Sequence, residues 1–181
     1  MKPTDILMQE HQVILGVLEA ALQEARTMDA TGEVDAERLD KMVEFFRSFA
    51  DHCHHAKEEK ELFALMEQRG LPAEGGPISV MLTEHDEGRR HVRALAEAAA
   101  LAREGDTSAA ASAARELQAF VKLLRNHILK EDTVLYPLAD QILTDEDQSK
   151  LAEAFERIER EEVGAGIHEK YYQLARELTQ E

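Results

Sequence analysis

Residues 35–69 read DAERLDKMVEFFRSFADHCHHAKEEKELFALMEQR, and this stretch decides the fold that the sequence predicts. Its inward positions recur at intervals of three and four, the spacing that lines up one face of an α-helix. Midway, histidine and glutamate interrupt that apolar face. The positions are Met42, Phe45, Phe49, His52, Ala56, Glu59, Phe63 and Met66. A long helix with polar groups in the middle of its inward face is therefore expected.

Three other segments show the same spacing. We predict helices over about residues 4–27, 77–105 and 107–142. Thr4 is expected to cap the first of these helices, and Asp106 or Thr107 the last. Pro77 can occupy the first helical position, where proline loses no hydrogen bond that the helix would have made. Pro137 is expected to kink or tighten the last turns of its helix.

The fold class predicted from these segments is all-α. Four long helices with short connections are best packed as an up-down-up-down four-helix bundle, here over residues 1–142. Additional C-terminal helices over about 145–162 and 168–178, the first opened by a capping box from Thr144 to Asp147, would form an extension, residues 143–181, packed on the bundle. The stretch 70–77 is rich in glycine and proline but only loop-sized, so no linker between separate domains is expected.

Charge and cysteine content exclude several classes of function. The formal net charge is −16, whereas nucleic acid and anionic membrane surfaces are bound by basic faces. Cys53 is the single cysteine, so neither an internal disulfide nor a thiolate-rich metal site can form within one chain, and Cys53 itself reads as a small buried hydrophobe. No apolar run approaches the roughly 18 residues of a membrane span. A cytoplasmic protein that binds neither nucleic acid nor membrane is expected.

One histidine stands on the apolar stripe of each long helix. The four are His11, His55, His85 and His127. Burying an imidazole without a partner costs on the order of 1 to 3 kcal/mol, and a metal ion would satisfy several imidazoles at once. Two of the four are followed one turn later by a carboxylate, as in His55 with Glu59 and His127 with Glu131, and such pairs lie on the same helix face. The pattern predicts a metal site inside the bundle.

The cluster from His52 to His55 requires a choice, because a regular α-helix can aim only some of these side chains inward. Position 55 shares its face with Glu59, whereas position 54 falls on a strongly polar strip with Glu58. We therefore predict His55 and Glu59 as ligands and place His54 and Glu58 outside the site or at its edge.

Three further positions near the site remain open. Glu131 and Asp132 both lie near the inward face of the fourth helix, and either or both could bridge two metals. His168 stands in a glycine-flanked segment that could fold over the site as a ligand or as a partner of a ligand. His91 is about 120° around its helix from His85 and is treated as a surface residue.

Four short motifs, taken in order, resemble the hemerythrin-like HHE cation-binding family over about residues 5–140. They are Glu10-His11 with Ile14, His54-His55-Ala56-Lys57-Glu58-Glu59 leading to Leu62-Phe63, Glu84-His85, and His127-Ile128-Leu129-Lys130-Glu131-Asp132 leading to Leu135-Tyr136-Pro137. The resemblance implies a four-helix bundle around two bridged non-haem iron ions that can meet dioxygen, peroxide or nitric oxide. It implies His11, His55, Glu59, His85 and His127 as ligands, with Glu131 or Asp132 as the second bridge.

The sequence departs from the oxygen-carrying members at position 89, where Arg89 stands in place of their second histidine of the third helix. One coordination position is then left for water, substrate or His168, which favours sensing or redox chemistry over reversible oxygen carriage. Imidazole and carboxylate ligands favour iron, with manganese or zinc as the alternatives. The expected function is to bind, sense or react with a small oxidant. The alternatives are an enzyme that consumes peroxide or nitric oxide, and a metal-dependent interaction or iron-storage module without turnover.

Overall fold

The computed structural model describes residues 1–164 and 166–180, so residues 165 and 181 of the predicted extension lie outside the described part. None of the described residues lies in a strand, which confirms the all-α class. The α-helices are α1 (Pro3–Thr31), α2 (Ala36–Phe45), α3 (Phe63–Gln68), α4 (Pro77–Arg103), α5 (Ala109–Lys130), α6 (Tyr136–Ile142), α7 (Asp145–Arg157) and α8 (Ile167–Thr179). The π-helical segments are Phe46–His55, Glu58–Leu62, Glu131–Leu135 and Ile158–Gly164.

These elements join into the four long helices of the bundle. The first is α1, the second is the continuous helix 36–68, the third is α4, and the fourth is the continuous helix 109–142. The fourth packs against the first and the third, and the second packs against the third. Helix α8 contacts both the first and the second and fills the groove between them. Short connections make successive long helices antiparallel, as expected for this bundle.

Some predicted helix ends are confirmed and others are wrong. Pro77 opens α4, and Thr144 and Asp147 form the predicted capping box at the start of α7. Thr4 is not a cap, because α1 already begins at Pro3; Thr4 is buried and its hydroxyl donates to Asp140. Asp106 does not cap α5 directly, and its carboxylate instead accepts a hydrogen bond from the backbone N–H of Ser108.

Pro137 stands directly after the π-helical segment Glu131–Leu135, at the start of α6. A proline removes one backbone donor and crowds the carbonyl four residues before it. A wider turn just ahead of the proline accommodates both effects, so the fourth helix continues through it without ending. The turns ahead of Pro137 are wider than α-helical turns, so the predicted tightening is wrong, and the predicted kink stays a prediction.

Two apolar cores lie at opposite ends of the bundle, with a polar layer between them. Leu7, Leu62, Met81 and Leu135 belong to one core, which Leu151 and Phe155 of α7 complete. Ile14, Phe46, Val92 and Leu124 belong to the other, which Leu174 and Leu178 of α8 complete. Every long helix therefore passes from one core to the other, and the predicted polar positions fall where it crosses the middle. The division of the chain near residue 142 into bundle and extension stays a prediction.

Candidate metal centre

All four long helices contribute buried polar side chains to the middle layer. They are His11, His54, His55, Glu58, His85, His127, Glu131 and Tyr136, and none is more than 7% exposed. The histidines predicted from the four apolar stripes, His11, His55, His85 and His127, are thus all brought to one place. The Nε2 atoms of His85 and His127 lie 3.0 Å apart.

The ligand-type atoms form two adjacent groups. One atom from each of His55, Glu58, His85 and His127 lies within 4.8 Å of the others, and the same holds for His11, His54, Glu58 and Glu131. Glu58 belongs to both groups. Glu131 also reaches both, because its carboxylate oxygens lie 3.2 Å from His11 Nε2 and 3.0 Å from His127 Nε2. The two groups therefore lie side by side, with the carboxylates of Glu58 and Glu131 close to both.

Four ligand-type atoms in this layer are buried and have no hydrogen-bond partner among the described residues. They are His54 Nε2, Glu58 Oε2 and both carboxylate oxygens of Glu131. An unpartnered polar atom in a protein interior costs on the order of 1 to 3 kcal/mol, and more if it is charged. Buried charges in native proteins are paired or coordinate metals. These orphaned atoms all face the shared centre of the two groups, so the residues present fit bound cations.

The other ring nitrogen of each central histidine is held by a carboxylate. Four of these pairs link neighbouring long helices and close a ring around the bundle: His11 with Asp132 at 2.7 Å, His127 with Glu84 at 2.8 Å, His85 with Glu59 at 2.7 Å, and His54 with Glu10 at 2.9 Å. His55 Nδ1 lies 3.3 Å from Asp51 in its own helix. A carboxylate on Nδ1 fixes the proton there and leaves the Nε2 lone pair free to bind a metal.

The carboxylates around two of the central histidines raise the pKa of those histidines. Burial lowers the pKa of His11, but the carboxylates of Asp132 and Glu131, 2.7 Å from its Nδ1 and 3.2 Å from its Nε2, outweigh burial and raise it to about 10. Burial likewise lowers the pKa of His85, but the carboxylates of Glu58 and Glu59, 3.4 Å from its Nε2 and 2.7 Å from its Nδ1, raise it to about 9. Positive charge is therefore favoured in this layer even without a metal.

The geometry of the layer agrees with a comparison of the sequence with protein families. Residues 2–139 match the hemerythrin HHE cation binding domain, which covers more than half of the chain and includes every residue of the two ligand groups. The chain belongs to the hemerythrin HHE family. Its central layer is accordingly a cation-binding centre whose histidine and glutamate clusters can hold metal.

The names of the similar proteins give no information about function. Proteins of Mycobacterium bovis and of two strains of Mycobacterium tuberculosis, all called uncharacterized, are 27% identical to this chain over 158 residues. The match covers 87% of this chain and 61% of each relative, so the chain spans about six-tenths of their length. No solved structure matches the chain. Among the described residues, no helix has the length and apolarity required to cross a membrane.

The expectation that His54 and Glu58 lie at the edge or outside of this HHE centre is wrong. Their exposed fractions are 1% and 0%, and both belong to the ligand groups. Glu59 is outside those groups: its side chain is 26% exposed and accepts from His85 Nδ1 and from Arg89. The physical reason is the π-helical backbone of Phe46–His55 and Glu58–Leu62, because i→i+5 hydrogen bonds widen the turn and change which residues share a face.

Glu131 and Asp132 differ in burial and in partners, and which of them bridges two metals stays a prediction. Glu131 is fully buried and reaches both ligand groups, whereas Asp132 is 20% exposed and holds His11 Nδ1. His91 is only partly exposed, its Nδ1 lies 2.7 Å from Glu116, and it belongs to neither ligand group.

Arg89, which stands where oxygen-carrying hemerythrins have a histidine, pairs with Asp51 and Glu59 outside the ligand groups, whereas His55 lies inside one of them. The ring of His55 stacks on that of His85 with their centroids 3.7 Å apart, and both belong to one ligand group with His127. Burial, followed by repulsion from His85, lowers the pKa of His55 well below 6.5, which favours the neutral form of this ring. The second helix therefore supplies adjacent histidines to the two different groups.

Tyr136 and Lys57 are buried residues whose roles sequence reasoning missed. The Tyr136 hydroxyl donates to Glu58 at 2.6 Å and lies 3.3 Å from His11 Nε2. Burial and the nearby charges of Glu131 and Glu58 raise the pKa of Tyr136 well above 10, which keeps the hydroxyl protonated. Lys57 is fully buried and donates to Glu10, the carboxylate that holds His54.

His168 of α8 reaches this outer network and not the centre. Its Nε2 lies 3.5 Å from Glu10, and with Glu10 and Cys53 it forms a separate group of ligand-type atoms. Burial raises the pKa of Cys53 to about 12, so the thiol stays protonated, as expected for a small buried hydrophobe. His168 therefore touches the residue that orients His54 and does not point into the shared centre of the two ligand groups.

Proposed function

We propose that this chain holds two non-haem iron ions in its central layer and binds or reacts with a small oxidant, namely dioxygen, peroxide or nitric oxide. The observation that carries the proposal is that Glu58 and Glu131 lie between two histidine groups, with Glu58 Oε2 and both oxygens of Glu131 buried and without a hydrogen-bond partner among the described residues. Two adjacent cations clamped by shared carboxylates are a recurring arrangement in metalloproteins.

The ligand set supports iron over a closed structural zinc site. One group offers three imidazoles, from His55, His85 and His127, and the other offers two, from His11 and His54. Imidazole and carboxylate ligands without thiolate suit iron or manganese, whereas structural zinc takes four ligands with frequent cysteine. The only cysteine in the chain is not in either group.

The chain's own residues hold the site ready for binding. Carboxylates on Nδ1 of each central histidine fix the direction of every Nε2 lone pair. Tyr136 donates to one oxygen of Glu58 and leaves the other oxygen free to face the centre. When bound, iron would supply electrons and an exchangeable position to the oxidant. The single, buried and protonated Cys53 fits a reducing compartment, so we also propose a cytoplasmic location.

The test is anaerobic loading of the purified protein with ferrous iron, followed by removal of free metal and measurement of iron per chain. We expect about two iron ions per chain, since the two groups share their carboxylates. Replacing His127 or His55 by alanine should remove at least one ion. His91→Ala is the matched control, because His91 pairs with Glu116 outside the centre and should leave the iron content unchanged.

Reaction with an oxidant is tested on the loaded protein. Visible absorption should change on adding peroxide, air or nitric oxide, and assays of peroxide and nitric oxide consumption separate a sensor from an enzyme. Wild-type protein without iron after loading would refute the metal proposal. Iron-loaded protein whose spectrum is indifferent to all three oxidants would refute the oxidant proposal and favour storage.

A further inference from the structure

A cavity of about 320 Å³ opens beside one half of the metal centre. His55 and His85 line its inner end. The walls come from the second, third and fourth long helices and are mostly apolar. They comprise Phe46, Ala50, Gly88, Val92, Phe120 and Leu124. We call this space the arginine-rimmed cavity, because Arg47 and Arg93 also line it and are both exposed to solvent.

The size of the cavity exceeds what a diatomic oxidant requires. A cavity of only about 10–15 Å³ can hold one water molecule. Sites for small organic molecules begin at roughly 300 Å³ and are lined mainly by apolar and aromatic side chains with a few polar groups. The cavity has the size and lining of such a site.

Gly88 keeps the cavity open at its middle. It lies inside α4, where an alanine would be the better helix former. A Cβ at this position would stand 3.5 Å from Phe120 Cε2, which is ordinary contact, so packing alone does not demand glycine here. The missing side chain instead leaves space between the third and fourth long helices.

The charges around the cavity favour an anion. Its two carboxylates are already paired: Asp51 accepts from Arg89 at 2.7 Å, and Glu84 accepts from His127 at 2.8 Å and from Lys130. Arg47 and Arg93 are not within ion-pair distance of any described residue. Two unpaired cations at the rim of an apolar cavity are complementary to a molecule with one anionic end and one apolar end.

We propose that the arginine-rimmed cavity binds a small organic anion with an apolar body, and so defines the class of a second substrate for this centre. The anionic end lies between Arg47 and Arg93, and the apolar end points toward His55 and His85. The cavity and its lining do not depend on a bound metal. Only the role of its occupant as a substrate rests on the proposed function.

The binding probe is octanoate. Two control compounds each lack one of its features: 1-octanol lacks the charge, and acetate lacks the apolar body. Calorimetric titration of iron(II)-loaded and metal-free protein should detect octanoate binding and much weaker binding of both matches. The double variant Arg47→Gln, Arg93→Gln should weaken octanoate binding about tenfold, within the range of two solvent-exposed ion pairs. Arg90→Gln is the control, because Arg90 is an exposed arginine of α4, the helix that carries Arg93, and does not line the cavity.

Filling the cavity gives an independent test. Gly88→Leu should abolish octanoate binding, and Val92→Phe serves the same purpose if the first variant fails to fold. In iron(II)-loaded wild type, the terminal methyl protons of octanoate should be broadened more strongly than the protons next to its carboxylate. Unchanged octanoate affinity in the double-arginine or cavity-filling variants, or no binding by wild type, would overturn the proposal. Calorimetric binding without any iron-dependent broadening would overturn the substrate role, and iron analysis of the same sample shows whether the metal centre failed instead.

Discussion

Single residues in the centre are positioned by partners from other helices. Glu10 and His11 are adjacent in sequence, yet Glu10 holds His54 while His11 is held by Asp132. The same exchange occurs in the third helix, where Glu84 holds His127 and His85 is held by Glu59. Each helix therefore orients a histidine of its neighbour, which makes the Nε2 direction of His11, His54, His85 and His127 depend on correct packing of the bundle.

The contrast between Glu58 and Glu59 gives a prediction at this scale. Glu58→Gln should lower bound iron from about two ions per chain to one or none, because a neutral amide replaces the shared carboxylate. Glu59→Gln should keep both ions, since its amide oxygen can still accept from His85 Nδ1. Elemental analysis of the two loaded variants decides the matter. Equal losses in both, or a larger loss in Glu59→Gln, would mean that the assignment of the shared carboxylate is wrong.

At the scale of helices, the unusual turns coincide with the ligands. The π-helical segments of the second and fourth long helices contain or adjoin His54, His55, Glu58 and Glu131. Inserted π-helical turns are common at functional sites. Here the wider turn lets two successive histidines both point inward, and they serve different ligand groups.

This explains which part of the site the sequence could predict. The inward histidines His11, His85 and His127 lie in stretches where the 3.6-residue period holds, and their burial followed from that period. His54 and Glu58 were misplaced because the period changes at Phe46, and single-residue patterns give no sign of a π-helical turn. The available signal was the cluster of His52, His54 and His55 around Cys53, which offers several candidate ligands within one turn of the helix.

The junction between the second helix and α7 predicts a pH effect. Hydrogen bonds from Arg69 and then from the backbone of Thr144 lower the pKa of Asp147 below its usual 3.8. A lowered folded-state pKa stabilises the protein above the unfolded-state pKa, and this contribution fades as pH falls below it. The destabilisation caused by Asp147→Asn should thus be largest near neutral pH and shrink below about pH 4.

Urea unfolding of the wild type and of Asp147→Asn at several pH values measures this difference. Glu153→Gln is the control, because Glu153 is an exposed acid in the same helix. A difference between wild type and Asp147→Asn that stays constant from pH 7 to pH 3 would show that the carboxylate charge contributes nothing to the junction.

For the whole molecule, the sequence predicts the layers better than the contacts between them. Apolar spacing in four segments, interrupted once in each by histidine, was enough to place a polar layer inside an all-α bundle. The pairing of Lys57 with Glu10, or of Asp132 with His11, depends on the relative register of two helices distant in sequence. No local pattern fixes that register, because it is set by the packing of both apolar cores and of α8 against them.

The same layering ties metal binding to global stability. Glu58 Oε2 and both oxygens of Glu131 have no hydrogen-bond partner among the described residues, and they lie in the layer between the two cores. A metal that binds only the folded state adds about 2.7 kcal/mol at a free concentration one hundred times its Kd, or about 5 to 10 °C in Tm for a chain of this length. Thermal unfolding followed by circular dichroism, with iron(II) under anaerobic conditions and again after chelation, should show this shift. His127→Ala should reduce the shift and His91→Ala should keep it, whereas a metal-independent Tm in protein shown to contain iron would mean that the bound iron lies outside the folded centre.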